Sequence, residues 1–306
     1  MTRLAIVGST ATGKTRLAVD LARRVGGVEL VSVDAMAVYR GLDIGTAKPD
    51  RRERSGVRWH LVDIVAPSTE FSVARFQQMA RDAIDRIEAA GHTPWLVGGT
   101  GLYHRAVIDD LDIPPHFPAI RMTLESEAAE DDGAVAALYA RLDAADPVAA
   151  RRTEPNNARR IVRALEVIEG TGRRFSSFGP GLSTYAESPW TIVGLELDRD
   201  SLDASIERRL DHHLADGFVE ETAGLLARPG GLSRTARQAL GYRELIEHLE
   251  GVRDFAGTRE AILARTRTFA RRQESWFRRD PRVRWMRADR SDLVDAVEAL
   301  VISDRL

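Results

Sequence analysis

The sequence has 306 residues, of which 43% are hydrophobic and 29% are charged. This composition excludes a disordered chain or a coiled coil, and the length suffices for a sizeable buried core. There is no cysteine, so disulfides and cysteine-held metal sites are excluded and a reducing compartment is expected. Without a signal-peptide pattern or an apolar run of about 20 residues, the sequence predicts a cytoplasmic protein without a membrane partner.

Positive charge is clustered although the formal net charge is only −2. Of the 44 lysines and arginines, two are lysines (Lys14 and Lys48), which leaves 42 arginines. A dense arginine block occupies residues 271–285. The net charge alone argues against nucleic acid as a partner, but this clustering favours a local surface for phosphates.

The first third of the chain alternates between predicted strands and helices. Short apolar runs at residues 4–7, 29–33 and 94–97 predict strands. Apolar residues at helical spacing predict helices at residues 14–24 and 73–87. This alternation is typical of an α/β fold in which helices flank a parallel sheet.

The pattern changes after the third strand. Prolines between residues 114 and 118 are followed by helix-like stretches without a convincing strand, and strand character returns at Trp190. Long helices, one of them rich in arginine, dominate the remainder. We therefore predict an all-helical insertion domain at residues 111–185, inside a catalytic core formed by residues 1–110 and 186–306.

Three segments should meet at one edge of this sheet. Gly8, Asp34 and residues 98–100 each follow a predicted strand. In open parallel sheets, ligands collect beyond the carboxyl ends of the strands. The three segments are therefore expected to line a single cleft.

The first segment, Gly8-Ser-Thr-Ala-Thr-Gly-Lys-Thr15, matches the phosphate-binding loop G-x-x-x-x-G-K-[ST] at every fixed position. In such a loop the backbone N–H groups point inward, the lysine reaches the outer phosphate and the threonine can ligate Mg²⁺. A glycine-rich turn without a ligand is the alternative. The motif predicts a sheet like that of the P-loop NTPases.

The rest of the cleft lacks the usual partners of a nucleoside triphosphate. There is no N-K-x-D motif, and the third strand ends in Gly98-Gly99 instead of an acidic residue. Asp34 is the obvious carboxylate of the cleft. It could be a metal ligand, a general base or a structural N-cap for a following helix.

Several blocks resemble the tRNA dimethylallyltransferases, the tRNA isopentenyltransferase family of P-loop prenyltransferases. The most specific are Asp-Ile-Gly-Thr-Ala-Lys-Pro at 43–49 and Gly-Gly-Thr-Gly-Leu-Tyr at 98–103. In family order, the blocks lie at residues 8–15, 32–49, 97–103, 155–167, 239–243 and 271–278. Ser9, where the family usually has proline, and Glu154, where it commonly has histidine, depart from the pattern.

The resemblance implies that a dimethylallyl group passes from dimethylallyl diphosphate to N6 of the adenosine just 3′ of the tRNA anticodon. It further implies that Mg²⁺ assists, that diphosphate leaves, and that the P-loop holds the donor's diphosphate instead of a nucleotide. The expected partners are therefore the tRNA anticodon loop and dimethylallyl diphosphate. The enzyme is expected to act on them as a monomer.

The resemblance also implies residue roles. Asp34 corresponds to the base that accepts the N6 proton, Thr100 to a threonine beside the reacting centre and Arg209 to an arginine on the diphosphate. The expected diphosphate-binding residues are Gly8, Ser9, Thr10, Ala11, Thr12, Gly13, Lys14, Thr15 and Arg209, and Thr15 is also the expected metal ligand. The expected tRNA-binding residues are Asp34, Ala35, Met36, Ala37, Thr100, Arg121, Arg159, Arg163, Arg237, Gly241, Tyr242, Arg243, Arg271, Arg272, Gln273, Trp276 and Arg278.

An adenine that reacts in a cleft must leave its stack, so the enzyme has to grip the loop around it. The arginines at 271, 272 and 278 can contact phosphates while Trp276 or Phe277 stacks on a base. The alternative is a solvated face for the arginines and core burial for the two aromatic residues.

Two rival functions remain on sequence grounds. One is a P-loop kinase acting on a small metabolite or nucleotide, which requires ATP-dependent turnover. The other is a non-catalytic tRNA-binding protein with a vestigial loop, against which the intact Lys14, Thr15, Asp34 and Thr100 argue. His212 and His213 are adjacent on a predicted helix and point apart, so they predict no shared metal site.

Overall fold

The computed structural model describes residues 2–50, 54, 56–131, 133–179, 181–182 and 184–303. The predicted core domain also includes residues 1, 51–53, 55 and 304–306, and the predicted insertion domain includes residues 132, 180 and 183; all of these lie outside the described residues. Within the described part of the chain, no helix is both long enough and apolar enough to cross a membrane.

Six parallel strands form one sheet in the order β3-β2-β4-β1-β5-β6. The strands are β1 (Arg3–Gly8), β2 (Val28–Ser32), β3 (Trp59–His60), β4 (Thr93–Val97), β5 (Trp190–Glu196) and β6 (Val283–Arg287). The predicted α/β fold with a parallel sheet is therefore confirmed.

The two edge strands are not predicted by the sequence pattern. β3 has only two residues, which is too short for an alternating pattern. β6 begins inside the arginine block, and its alternating charged residues resemble the exposed face of the helix that precedes it. The strand forms because it pairs with β5 from Ile192 to Glu196.

Thirteen α-helices occur among the described residues. They are α1 (Lys14–Val25), α2 (Val73–Ala89), α3 (Gly101–Ile108), α4 (Pro118–Glu127), α5 (Ala134–Ala145), α6 (Pro147–Arg151), α7 (Ala158–Thr171), α8 (Arg199–Ala215), α9 (Phe218–Leu226), α10 (Arg234–Arg237), α11 (Tyr242–Leu249), α12 (Phe255–Arg278) and α13 (Leu293–Ser303). A short 3-10 helix, Phe175–Ser177, follows α7. The arginine-rich helix of the sequence analysis is α12.

The central strands are buried on both faces. Successive residues of a strand point to opposite faces, and accordingly Ala5 and Val7 belong to one apolar cluster whereas Leu4 and Ile6 belong to another. This two-sided burial explains why the strands read as continuous apolar runs. The packed sheet holds the strand ends that carry the candidate site.

The chain separates into two compact units. The smaller one, Asp110–Ala186, contains α4 to α7 and has an apolar core of its own around Leu142 and Ile161. The described residues of this unit include no strand. The larger unit contains the whole sheet and consists of the described residues up to Asp109 and from Glu187 onward.

Candidate active site

A cleft of about 880 Å³ lies at the carboxyl ends of the strands of the larger unit. It is lined by residues that follow β1, β2 and β4, and by residues of α8 and α12. The lining includes these expected site residues: Thr10, Ala11, Gly13, Lys14, Thr15, Asp34, Ala37, Arg209 and Gln273. The fold therefore brings Lys14 and Asp34 to one cleft.

The phosphate loop leaves β1 in a conformation that requires glycine. Gly8 has a φ of 134°, and a Cβ on it would lie 2.4 Å from the backbone carbonyl oxygen of Leu195 in β5. Gly13 has a φ of 81° and precedes Lys14, the first residue of α1. The backbone N–H groups at the start of α1 can therefore bind an anion.

Ser9 contributes to the loop through its backbone. Its carbonyl oxygen accepts hydrogen bonds from Lys14 Nζ at 2.6 Å and from Thr12 Oγ1 at 2.8 Å. Every amino acid supplies this carbonyl, including proline. The departure from the family pattern at position 9 therefore leaves these two contacts in place.

Two other helices hold the phosphate loop by hydrogen bonds. Gln273 in α12 accepts a hydrogen bond from the backbone N–H of Thr10 at 2.8 Å, and Ser205 in α8 donates one to the carbonyl oxygen of Ala11 at 2.9 Å. Ala11 has a φ of 65°, which is uncommon for a residue with a side chain. The two bonds stabilise a loop that carries backbone strain.

The loop end of the cleft carries two cations. Burial, together with the neighbouring Arg209 and against the effect of Asp34, lowers the pKa of Lys14 to about 7. Burial also lowers the pKa of Arg209 to about 10, against the effect of Asp34. Both side chains keep part of their surface accessible through the cleft. Two cations beside one carboxylate suit a strongly anionic ligand such as a diphosphate.

Asp34 stabilises a turn and also lines the cleft. Its Oδ1 accepts hydrogen bonds from the backbone N–H groups of Met36 at 2.7 Å and Ala37 at 3.1 Å. The segment that follows is a turn and not the helix that an N-cap role requires. Within the described residues, Oδ2 has no hydrogen-bond partner. One oxygen therefore fixes the turn while the other is available to a substrate.

Thr100 lies behind this turn and is not part of the cleft lining. Its Oγ1 accepts a hydrogen bond from the backbone N–H of Ala35 at 3.2 Å. The preceding residues, Gly98 and Gly99, do line the cleft. The hydroxyl of Thr100 thus joins the end of β4 to the Asp34 turn.

A buried lysine closes the loop that contains the family-specific segment at 43–49. Lys48 Nζ donates hydrogen bonds to the carbonyl oxygen of Tyr39 at 2.8 Å and to the carboxylates of Asp43 at 2.5 Å and Asp63 at 2.6 Å. A buried ammonium is costly unless it is paired in this way. Lys48 therefore stabilises one wall of the cleft.

Three residues expected on tRNA are buried within the protein. Tyr242 is fully buried and its hydroxyl donates to Glu221 at 2.5 Å. Gly241 is buried, has a φ of 83° and donates its N–H to Glu244. Gln273 is only 7% exposed, and both ends of its amide are hydrogen-bonded within the protein.

Most of the expected arginines of the larger unit face solvent. Arg243, Arg271, Arg272 and Arg278 are exposed and Arg237 is partly exposed. Arg272 has no hydrogen-bond or ion-pair partner within the described residues. Arg278, in contrast, pairs with Glu196 and lies over the ring of Trp285. Of the expected arginines of α12, Arg272 is therefore the one whose side chain can bind a phosphate without giving up an internal partner.

Trp276 is partly buried and packs against the core. A Cβ on Gly101 would lie only 2.1 Å from its indole ring, so the ring rests directly on the first turn of α3. Phe277 is buried and lies edge-on to His104. Of the two sequence interpretations of these aromatic residues, core packing describes their positions.

In the smaller unit, Arg121 and Arg163 lie beside the buried Glu166. Arg163 contacts this carboxylate at 2.9 Å and donates to the carbonyl oxygen of Pro114 at 2.7 Å. Burial acts to raise the pKa of Glu166, but the N–H of Phe117 and the guanidinium of Arg163 hold it below its ordinary value. These two arginines are thus partly engaged within the protein, whereas Arg159 in α7 is exposed.

Several cleft residues were not among the predicted site residues. Ser205 and Phe269 each precede a predicted residue by four positions on the same helix, and Phe269 is 39% exposed. Residues four apart share a helix face, so this spacing from Arg209 and Gln273 is the signal that identifies them. His212 and His213 also line the cleft, and burial, with a further effect of Arg209, lowers the pKa of His213 to about 4.

Known proteins resemble this chain over nearly its full length. The family model described as IPP transferase matches residues 37–280. A tRNA dimethylallyltransferase of Nocardioides sp. is 48% identical over 298 residues, covering 97% of this chain and 95% of that protein. One from Streptomyces coelicolor is 45% identical over 301 residues, covering 97% and 95%.

Solved structures agree with these relatives. A tRNA isopentenylpyrophosphate transferase from Bacillus halodurans is 36% identical, with a TM-score of 0.71 over 99% of this chain and 96% of that one. A eukaryotic dimethylallyltransferase crystallised acting on tRNA has a TM-score of 0.80 over 99% of this chain and 78% of its own. At 24% identity, it supports the fold alone. The chain belongs to the IPP transferase family.

Proposed function

We propose that this protein transfers the dimethylallyl group of dimethylallyl diphosphate to tRNA, at N6 of the adenosine just 3′ of the anticodon, and that it acts as a monomer with Mg²⁺. Relatives named tRNA dimethylallyltransferase match nearly the whole chain, so the chain is a prenyltransferase of this class. The observation that supports the residue assignments is the single cleft lined by Lys14, Asp34 and Arg209.

Stabilisation of the leaving group is the main task of the loop end of the cleft. Breaking the allylic C–O bond places positive charge on carbon and negative charge on the departing diphosphate. The backbone N–H groups at the start of α1, with Lys14 and Arg209, are placed to stabilise that negative charge as it develops. Because both cations are partly withdrawn from water, their interaction with the diphosphate is stronger than at an open surface.

Thr15 is the residue that we propose as the protein ligand of Mg²⁺. Magnesium that binds with phosphates usually takes only one or two protein ligands, and phosphate oxygens and water supply the others. Thr15 lines the cleft next to Lys14 and carries a hydroxyl oxygen, so the residues present fit such an ion. When bound, Mg²⁺ would neutralise further charge on the leaving diphosphate.

Asp34 is the proposed general base. The exocyclic amine of adenine is a weak nucleophile until it begins to lose a proton. As the new N6–C bond forms and the C–O bond breaks, Oδ2 of Asp34 accepts the N6 proton and the diphosphate leaves with the bonding electrons. A positioned carboxylate contributes about 10²–10⁴-fold to such a step.

The test of the function uses purified protein, an unmodified tRNA transcript, radioactive dimethylallyl diphosphate and Mg²⁺. We expect label in the tRNA and isopentenyladenosine in its nucleoside digest by mass spectrometry. A matched transcript with guanosine in place of the target adenosine lacks the N6 amine and should stay unlabelled. ATP consumption with unlabelled tRNA would support the kinase interpretation and contradict the proposal.

Arg272→Ala tests the proposed tRNA surface on α12. We expect weaker binding to tRNA and a slope of log affinity against log salt that is shallower by about one, as for the loss of one phosphate contact. The charge-matched control is Arg86→Ala, because Arg86 is exposed in the last turn of α2. Glu88 of the same turn pairs with Arg3 at the start of β1, at the opposite end of the strands from the cleft. Filter binding at several salt concentrations measures both values, and equal slopes for the two variants would argue against the contact.

A further inference from the structure

We propose that Gln273 is a positioning residue that fixes the phosphate loop relative to the turn that carries Asp34, and thereby aligns the two substrates. The inference rests on the proposed function, because it assumes that the donor's diphosphate lies at the loop and the acceptor amine at Asp34. Gln273 itself contacts neither substrate in this proposal.

The amide of Gln273 connects two loops that are far apart in sequence. Its Oε1 accepts a hydrogen bond from the N–H of Thr10 at 2.8 Å, and its Nε2 donates one to the carbonyl oxygen of Gly99 at 2.9 Å. Thr10 belongs to the phosphate loop after β1, and Gly99 belongs to the turn after β4. A single planar group therefore sets the distance between them.

The connection continues to the base. Gly99 is followed by Thr100, whose Oγ1 accepts a hydrogen bond from the N–H of Ala35. Ala35 directly follows Asp34, whose Oδ1 in turn accepts from the N–H groups of Met36 and Ala37. Hydrogen bonds and adjacent residues thus connect the phosphate loop to the proposed base, Asp34, through the side chain of Gln273.

The amide of Gln273 packs directly against the turn after β4. A Cβ on Gly99 would lie 2.2 Å from Gln273 Nε2, so the close approach depends on a glycine there. One turn along α12, Trp276 rests on Gly101. Helix α12 is therefore held on both sides of Thr100, and the amide has little freedom to move.

The expected effect is on the chemical step, more than on substrate affinity. The reacting carbon and the N6 amine must approach closely and in line, and a misplacement of about 1 Å can cost roughly 100-fold in rate. Loss of the Gln273 bridge frees the loop to shift relative to Asp34 but removes no group that binds the diphosphate or the tRNA. A positioning role therefore predicts a lower kcat with small changes in KM.

Gln273→Met tests this prediction, since methionine has a similar length and forms neither hydrogen bond. We expect the single-turnover rate at saturating donor and tRNA to fall roughly 10- to 100-fold. Binding of inorganic diphosphate by calorimetry and of tRNA by filter binding should change less than about threefold, because the binding groups remain. The matched control is Ser275→Ala, an exposed position on the same helix, which should behave as wild type.

Gln273→Glu adds a readout that a purely structural role would not produce. Like the glutamine amide, a protonated glutamic acid has an acceptor oxygen and a hydrogen-bond donor, which here is its O–H group. A carboxylate can only accept hydrogen bonds. Lowering the pH from about 8 to about 6 should therefore raise the rate of this variant relative to wild type, because burial favours the protonated form. Lys14, Asp34 and Arg209 line the same cleft, and His104 contacts the carbonyl oxygen of Gly98. The cations Lys14 and Arg209 favour the carboxylate form of this variant and burial favours its protonated form, so the rise in rate toward low pH is the result that tests the bridge.

Two outcomes would overturn the inference. One is a Gln273→Met protein that melts at a lower temperature but has the wild-type single-turnover rate, which would mean a structural role alone. The other is a variant whose KM for the donor rises while kcat stays unchanged. A wild-type protein that does not prenylate tRNA would instead contradict the proposed function, and that result is read from the wild type before any variant is measured.

Discussion

Asp34→Asn should lower the single-turnover rate of prenyl transfer by about 10²–10⁴-fold while tRNA and inorganic diphosphate bind with nearly wild-type affinity. Asparagine keeps an oxygen that can accept from the N–H groups of Met36 and Ala37, which Asp34 Oδ1 does now. The turn is therefore retained. What is lost is the oxygen that accepts the proton, since an amide nitrogen cannot do so.

Asp34→Ala is the companion variant, because it removes the turn contacts as well as the base. We expect it to be as slow as the asparagine variant and also less stable to heat, since two backbone N–H groups lose their acceptor. Quenched-flow measurement with radioactive donor gives the rate, and thermal melting gives the stability. If Asp34→Asn kept the wild-type rate and only Asp34→Ala were slow, the carboxylate would serve the turn and another group would be the base.

Much of the core fold follows from the sequence because its strands are short, apolar and separated by helices. The sequence alone predicts that the loop after β1, Asp34 and Gly98–Gly99 lie at one edge of the sheet, since parallel strands place their carboxyl ends together. The edge strands β3 and β6 could not be predicted. Pairing with β2 and β5 stabilises them, and such long-range pairing leaves no periodic pattern in two residues or in an arginine-rich segment.

The candidate site was predictable where the backbone performs the function and less so where side-chain direction decides it. The phosphate loop has the predicted conformation because Gly8 and Gly13 occupy positions that need positive φ. Tyr242 and Gln273 lie in blocks that match a tRNA-binding segment, but a match in sequence does not show whether a side chain points outward. Both point inward, where hydroxyl and amide groups satisfy buried polar atoms.

Lys14→Met should reduce kcat/KM for the donor by about 10²–10³-fold, the effect typical of removing one group that stabilises developing negative charge. The backbone N–H groups and Arg209 remain, so some activity should persist. Steady-state kinetics at saturating tRNA measure the loss. A donor kcat/KM within about threefold of wild type would contradict the assignment of Lys14 to the leaving group.

Although Lys14→Met should lower activity, it should raise the free energy of unfolding. The pKa of Lys14 is lowered from 10.5 to about 7 on folding, with burial as the main cause. The unfolded chain therefore binds this proton more tightly, and the charge on Lys14 destabilises the fold fully below pH 7 and progressively less from pH 7 to 10.5. Methionine keeps the apolar stem without the charge.

The stabilisation by Lys14→Met should accordingly be largest at or below neutral pH and should fade as the pH approaches 10.5, the ordinary pKa of lysine. Arg16→Met is the control from the same turn of α1, because that side chain is 88% exposed and its charge costs the fold little. Urea unfolding of both variants at several pH values measures the difference. If Lys14 lowers the stability of the fold, its retention is explained by anion binding and not by structure. A Lys14→Met protein less stable than wild type at neutral pH would mean that the ammonium stabilises the fold instead.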